Sequence, residues 1–118
     1  MTPFHFGEPP QARPNERRIE VPAHLATKAE LLAFLARAFP LPAYFGHNWD
    51  ALEECLLDLD WLKAPQVVLI HHDIPLAGEP HDQQIYLHIL AAAAKNSHRL
   101  HLVFPANTHA TIASLLAK

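Results

Sequence analysis

The chain has 118 residues, enough for one domain that buries a core without disulfide or metal staples. Half of its residues are apolar, which excludes a disordered chain, and no apolar run approaches the ~18 residues that a membrane span needs. Nine basic and twelve acidic residues give a formal net charge of −3, and the lone cysteine, Cys55, excludes an internal disulfide and fits a reducing cytosol.

The charge is uneven. Arg13, Arg17 and Arg18 come early, whereas the acids concentrate in the middle, which makes that middle a poor partner for nucleic acid and a good one for a basic protein. The first residues, MTPFHFGEPPQARP, have neither a basic n-region nor an apolar h-region, so the expected location is the cytoplasm.

Residues 1–17 carry Pro3, Pro9, Pro10 and Pro14, which lack ladder donors and bias their neighbours toward extended backbone. They are expected to form an irregular arm, pinned by Phe4 and Phe6, ahead of a single domain over 18–118. Arg18–Val21 alternates and is bounded by Pro22, which suits a short first strand. Thr27 caps the next helix with Glu30 three residues on, and Leu31, Leu32, Phe34, Leu35, Ala38 and Phe39 supply its apolar stripe. Pro40 and Pro42 end it.

Leu41–Trp61 then runs from a proline- and aromatic-rich turn into an acidic helix. Asp50, Glu53, Glu54, Asp58 and Asp60 fall there without one Lys or Arg among them. At about 100° per residue, Asp50, Glu54 and Asp58 share one side while Leu52, Cys55, Leu56 and Leu59 gather on the other. Asn48 is a good N-cap, and Asp50 sits where the helix dipole favours a carboxylate. Asp58 and Asp60 lie near the opposite end, where they oppose the dipole, so helix stability is not what places them. Gly46 allows a positive φ in the preceding turn. Trp49 and Trp61 bracket the helix and are expected in the core, with partner contact as the alternative.

Pro65 precedes Gln66–His71, a β-branched run with apolar residues on both faces, as in a buried parallel strand. Asp73–Pro80 is turn-rich, His81–Asn96 is a helix, Arg99–Phe104 is a third strand, and 107–118 is an extra C-terminal helix. Strands separated by helices imply parallel pairing, hence an α/β layer fold with a small three-stranded sheet packed against helices.

Ten histidines raise a metal-dependent hydrolase as one alternative, built on His71, His72, Asp73 and Asp82 at the end of a parallel strand. Adjacent strand residues point to opposite faces, and no ligand-spaced motif is present, so neither a metal nor another cofactor is expected. Three glycines make no phosphate-cradling loop, and Ser97 and Ser114 lie in no nucleophile motif. The acidic helix itself reads either as a solvated face, as a non-inhibitory interaction surface, or as a plug for a basic site.

The run Leu41-Pro42-Ala43-Tyr44-Phe45-Gly46-His47-Asn48-Trp49-Asp50-Ala51-Leu52-Glu53-Glu54-Cys55-Leu56 resembles the signature of the barstar family, intracellular inhibitors of secreted ribonucleases. The element order resembles the family over roughly 18–104. The resemblance implies a barstar-like fold, no enzymatic activity, and a basic extracellular-type or toxin ribonuclease as partner. It implies an antitoxin or immunity role, a monomer, and a 1:1 complex that blocks the nuclease's active site, with no direct nucleic-acid or membrane partner. By position, Asp50 matches a binding aspartate of the family, Tyr44 and Asn48 match the loop that faces the enzyme, and Glu54 stands where the family has its principal active-site aspartate. Glu53, in place of a tryptophan, and Asp58 complete the expected partner-binding set. His47 and Trp49 are further candidates, and Glu79 or Asp82 stands for a contact glutamate on the later helix.

Overall fold

Valine, leucine and isoleucine on both faces of Gln66–His71 demand a neighbour on each side and cover above and below. The computed structural model describes residues 4–39, 48–59 and 66–117, and there this run is β3 (Gln66–His71), an interior strand of a four-stranded sheet. β2 (Glu16–Val21) pairs with one side of it and β4 (Leu100–Phe104) with the other. β1 (Phe4–Phe6) adds to the far edge of β4, giving the order β1-β4-β3-β2 with every pairing parallel. Four helices, α1 (Lys28–Ala38), α2 (Trp49–Leu57), α3 (Pro80–Lys95) and α4 (His109–Leu116), complete an α/β fold.

The sheet therefore has one strand more than the expected three. The addition is the Phe-His-Phe of the proline-rich arm, so that arm is not irregular throughout. An edge strand needs partners on one side only, and three residues between prolines are enough to make them. β2 also starts two residues earlier than expected, at Glu16, whose Cα lies opposite Gln66.

Alternate residues of each strand face opposite ways. Ile19, Leu69 and Leu102 stand side by side in the register and join one large core with Leu31 and Leu35 of α1, Leu52 and Leu56 of α2, Leu87 and Leu90 of α3, and Ile112 of α4. The chain moves β2 to β3 to β4 in one direction across the sheet, so right-handed crossovers place the intervening helices on one face. The step from β1 to β2 runs the other way. The same handedness sends its nine-residue connection, 7–15, across the opposite face. Val68, Ile70 and Val103 make a separate small cluster on that face. Arg18 pairs with Glu16 and donates to the Pro10 carbonyl, fastening the connection there like a strap.

Caps set the helix ends. Thr27 Oγ1 accepts from the Glu30 N–H at 3.1 Å and donates to the Glu30 carboxylate, a variant of the expected capping box. At the other end of α1, Arg17 reaches from β2 and donates to the Ala38 carbonyl at 2.7 Å, placing a cation on an otherwise orphan acceptor at the negative end of the dipole. Pro40, Pro42, Pro65, Gly46, Asp60 and Trp61 lie outside the described residues.

Candidate functional site

Asn48 starts α2, its side-chain oxygen accepting from the Ala51 N–H at 2.7 Å with the backbone extended at φ −131°. Such a cap stabilises a helix by about 1 kcal/mol and fixes where its first turn begins. From that start Leu52, Cys55 and Leu56 turn inward and are buried, as is Leu59 just beyond the helix. Asp50, Glu53, Glu54 and Asp58 turn outward and are exposed. Asp58 is the C-cap residue rather than a helical one, its N–H donating to the Glu54 carbonyl.

Asp50, Glu53 and Glu54 have no hydrogen bond or ion pair with any other described side chain. The acids raise the thiol of buried Cys55 above its usual range, after burial itself, through the charges of Glu54 and Asp58. That leaves Cys55 a protonated core residue rather than a nucleophile.

Leu57 is the member of this face that composition hides. It is 47% exposed, the large apolar side chain of the described residues that stands most open to solvent. At about 100° per residue it falls between Glu53 and Glu54 on the helix, and that angular position was the available sequence signal. Beside Glu53 the surface dips into a shallow depression shared with α3, lined by Gln84, Ile85 and His88. Nothing in the local pattern of α3 announces these residues.

Trp49, the first residue of α2, is half-buried and serves the fold. Its Nε1 donates to Asp82 Oδ1 at 3.2 Å, its ring lies 6.2 Å from that of Tyr86, and Lys28 Nζ stands 5.5 Å from its centroid. One side chain thus joins α1, α2 and α3. Asp82 is committed by that bond, whereas Glu79, the N-cap residue of α3, is exposed and makes no capping bond. Tyr44 and His47 lie outside the described residues.

The alternative metal set does not converge. His71 is buried, its ring stacked on Phe104 at 4.0 Å, with Nδ1 3.1 Å from the Val103 carbonyl and Nε2 2.7 Å from the Tyr86 hydroxyl. A carbonyl only accepts, so Nδ1 carries the hydrogen and Nε2 accepts from Tyr86. Burial pushes the His71 imidazole down to about 3 and keeps it neutral. Burial likewise pushes the Tyr86 hydroxyl up, so it stays protonated as the donor. His72 points outward to Glu20 at 3.0 Å, and Asp73 accepts from the His24 N–H at 3.0 Å. With Asp82 held by Trp49, the four side chains share no partner, and no three His, Cys, Asp or Glu gather as a metal site among the described residues.

Fold and site together define a small parallel α/β domain that displays the carboxylates of Asp50, Glu53 and Glu54, unpaired among the described residues, on one face of a capped helix. A family model described as Barstar (barnase inhibitor) matches residues 17–107, and the chain belongs to the barstar family. No curated protein and no solved structure matches. β1 and the strap lie ahead of the matched region, and the whole of α4 follows it.

Proposed function

We propose that the protein is an intracellular inhibitor that seats α2 in the active site of a basic ribonuclease. The observation that carries this reading is the set of exposed, unpaired carboxylates Asp50, Glu53 and Glu54 on a helix whose other face is locked in the core. A site that binds RNA phosphates presents converging Arg and Lys groups. Carboxylates held on a rigid helix fill the phosphate positions with charge-assisted hydrogen bonds, and no covalent step is needed.

Leu57, set among the acids, supplies the apolar contact that a bound partner would desolvate. Asp58 and Glu79 extend the negative field, and Asn48 fixes the helix start against which all of them are registered. The partner is a toxin or extracellular-type nuclease made in the same cell, met in the cytoplasm and held 1:1.

Glu54 is the decisive residue. It is exposed and unpaired, so Glu54→Ala should leave the melting temperature nearly unchanged, within about half a kcal/mol in stability. It should nevertheless cost roughly 2–5 kcal/mol in binding, much of it from partner cations left buried without a counter-charge. The measurement is inhibition titration against the small basic protein recovered by pulldown from cells, and against barnase, with thermal melts as the folding control. If Glu54→Ala inhibits as well as the wild type, α2 is not the inhibitory surface; if the pulldown yields no nuclease, the domain is an interaction module of another kind.

A further inference from the structure

The strap closes a cavity of about 210 Å³ on the sheet face that the helices leave free, remote in topology from α2. Its floor is apolar where Val68 of β3 and Val103 of β4 belong to the small cluster on that face, and Pro10 covers it from the strap. Its charge comes from Arg13, Arg18 and Glu16. Arg18 is spent: its Nε pairs with Glu16 and its Nη2 donates to Pro10, so that ion pair balances itself. Arg13 is exposed at the cavity and its guanidinium has no partner among the described residues. One positive charge is left over beside an apolar floor, in a protein whose net charge is negative.

Size narrows the ligand. A space of about 210 Å³ has room for a compact organic molecule. We propose that this cavity binds a small organic carboxylate, the carboxylate on Arg13 and the apolar body between Pro10 and the valines. A carboxylate matches the fork of a guanidinium with two parallel hydrogen bonds, and the body displaces water from surface that has no other cover. Pro10 and Arg13 of the strap precede the family match at residues 17–107, whereas Val68 and Val103 of the floor lie within it.

The test uses the full chain and benzoate as probe, followed by amide chemical shifts. Benzoate should shift the amides of the strap and of the neighbouring parts of β3 and β4, while those of α2 stay in place. Benzyl alcohol, the same shape without charge, should bind roughly tenfold more weakly, and inorganic phosphate, charge without a body, should also bind more weakly. Arg13→Gln should abolish the preference for benzoate over benzyl alcohol and leave the melting temperature unchanged. The proposal is overturned if benzoate leaves the strap amides unmoved, if phosphate or benzyl alcohol matches benzoate, or if Arg13→Gln retains the preference.

Discussion

His71 shows how a single residue can be misassigned from its neighbours in sequence. His71-His72-Asp73 at a strand end is a composition that metal sites use, yet the strand alternation sends His71 inward and His72 outward. Inside, the imidazole is a satisfied core group, bonded on both nitrogens and stacked on Phe104. Its pKa has a consequence for stability. The imidazole titrates near 6.5 in the unfolded chain and near 3 in the fold, so between those values the unfolded chain binds more protons. The contribution of His71 is therefore complete above pH ~6.5 and is lost progressively as pH falls toward ~3. Urea unfolding at successive pH values should show stability dropping by up to about 1.4 kcal/mol per pH unit in this window from this group alone. In a His71→Leu/Tyr86→Phe double variant, which removes both partners of the hydrogen bond, the slope should be smaller by that amount. An unchanged slope would mean that His71 takes up its proton in the fold as readily as in the unfolded chain.

At the scale of elements, α2 was legible because everything that defines it is local: an N-cap at Asn48, an apolar arc at Leu52, Cys55 and Leu56, and an acidic arc opposite. β1 was not. Three residues between prolines carry no period, and their partners in β4 lie almost a whole chain away at Leu102 to Phe104. The tie from Trp49 to Asp82 was equally hidden, since it spans 33 residues and needs the packing of α2 on α3 to exist. That tie is a polar link between the acidic helix and the start of α3. Trp49→Phe keeps an aromatic ring but deletes the donor, so it should destabilise by about 1–2 kcal/mol, as expected for a partly buried hydrogen bond to a carboxylate. Asp82→Ala should cost a similar amount, and the double variant should cost less than the two added together, by about 1 kcal/mol. Additive losses in denaturant melts would show that the two side chains do not act as a pair.

The whole molecule keeps its charges apart, and this governs how it meets a partner. Arg17 and Arg18 are tied to the Ala38 and Pro10 carbonyls, while Asp50, Glu53 and Glu54 are left open to solvent on α2. A formal charge of −3 on 118 residues is modest, but such segregation makes the field at α2 stronger than the total suggests. A basic nuclease approaching that helix is attracted before any contact forms. Salt screens this attraction over about 10 Å at 0.1 M, and it acts on encounter more than on the docked complex, where the charges are desolvated. Stopped-flow association with the recovered nuclease should therefore slow steeply from low to physiological ionic strength, while dissociation changes little. Glu53→Gln and Glu54→Gln, which keep shape and remove charge, should each flatten the dependence of the association rate on salt. Leu57→Ala should leave that dependence alone and quicken dissociation instead, since Leu57 contributes contact and no charge. An association rate indifferent to salt would place the docking surface away from the acidic face, and the reading of α2 as the inhibitory element would fall with it.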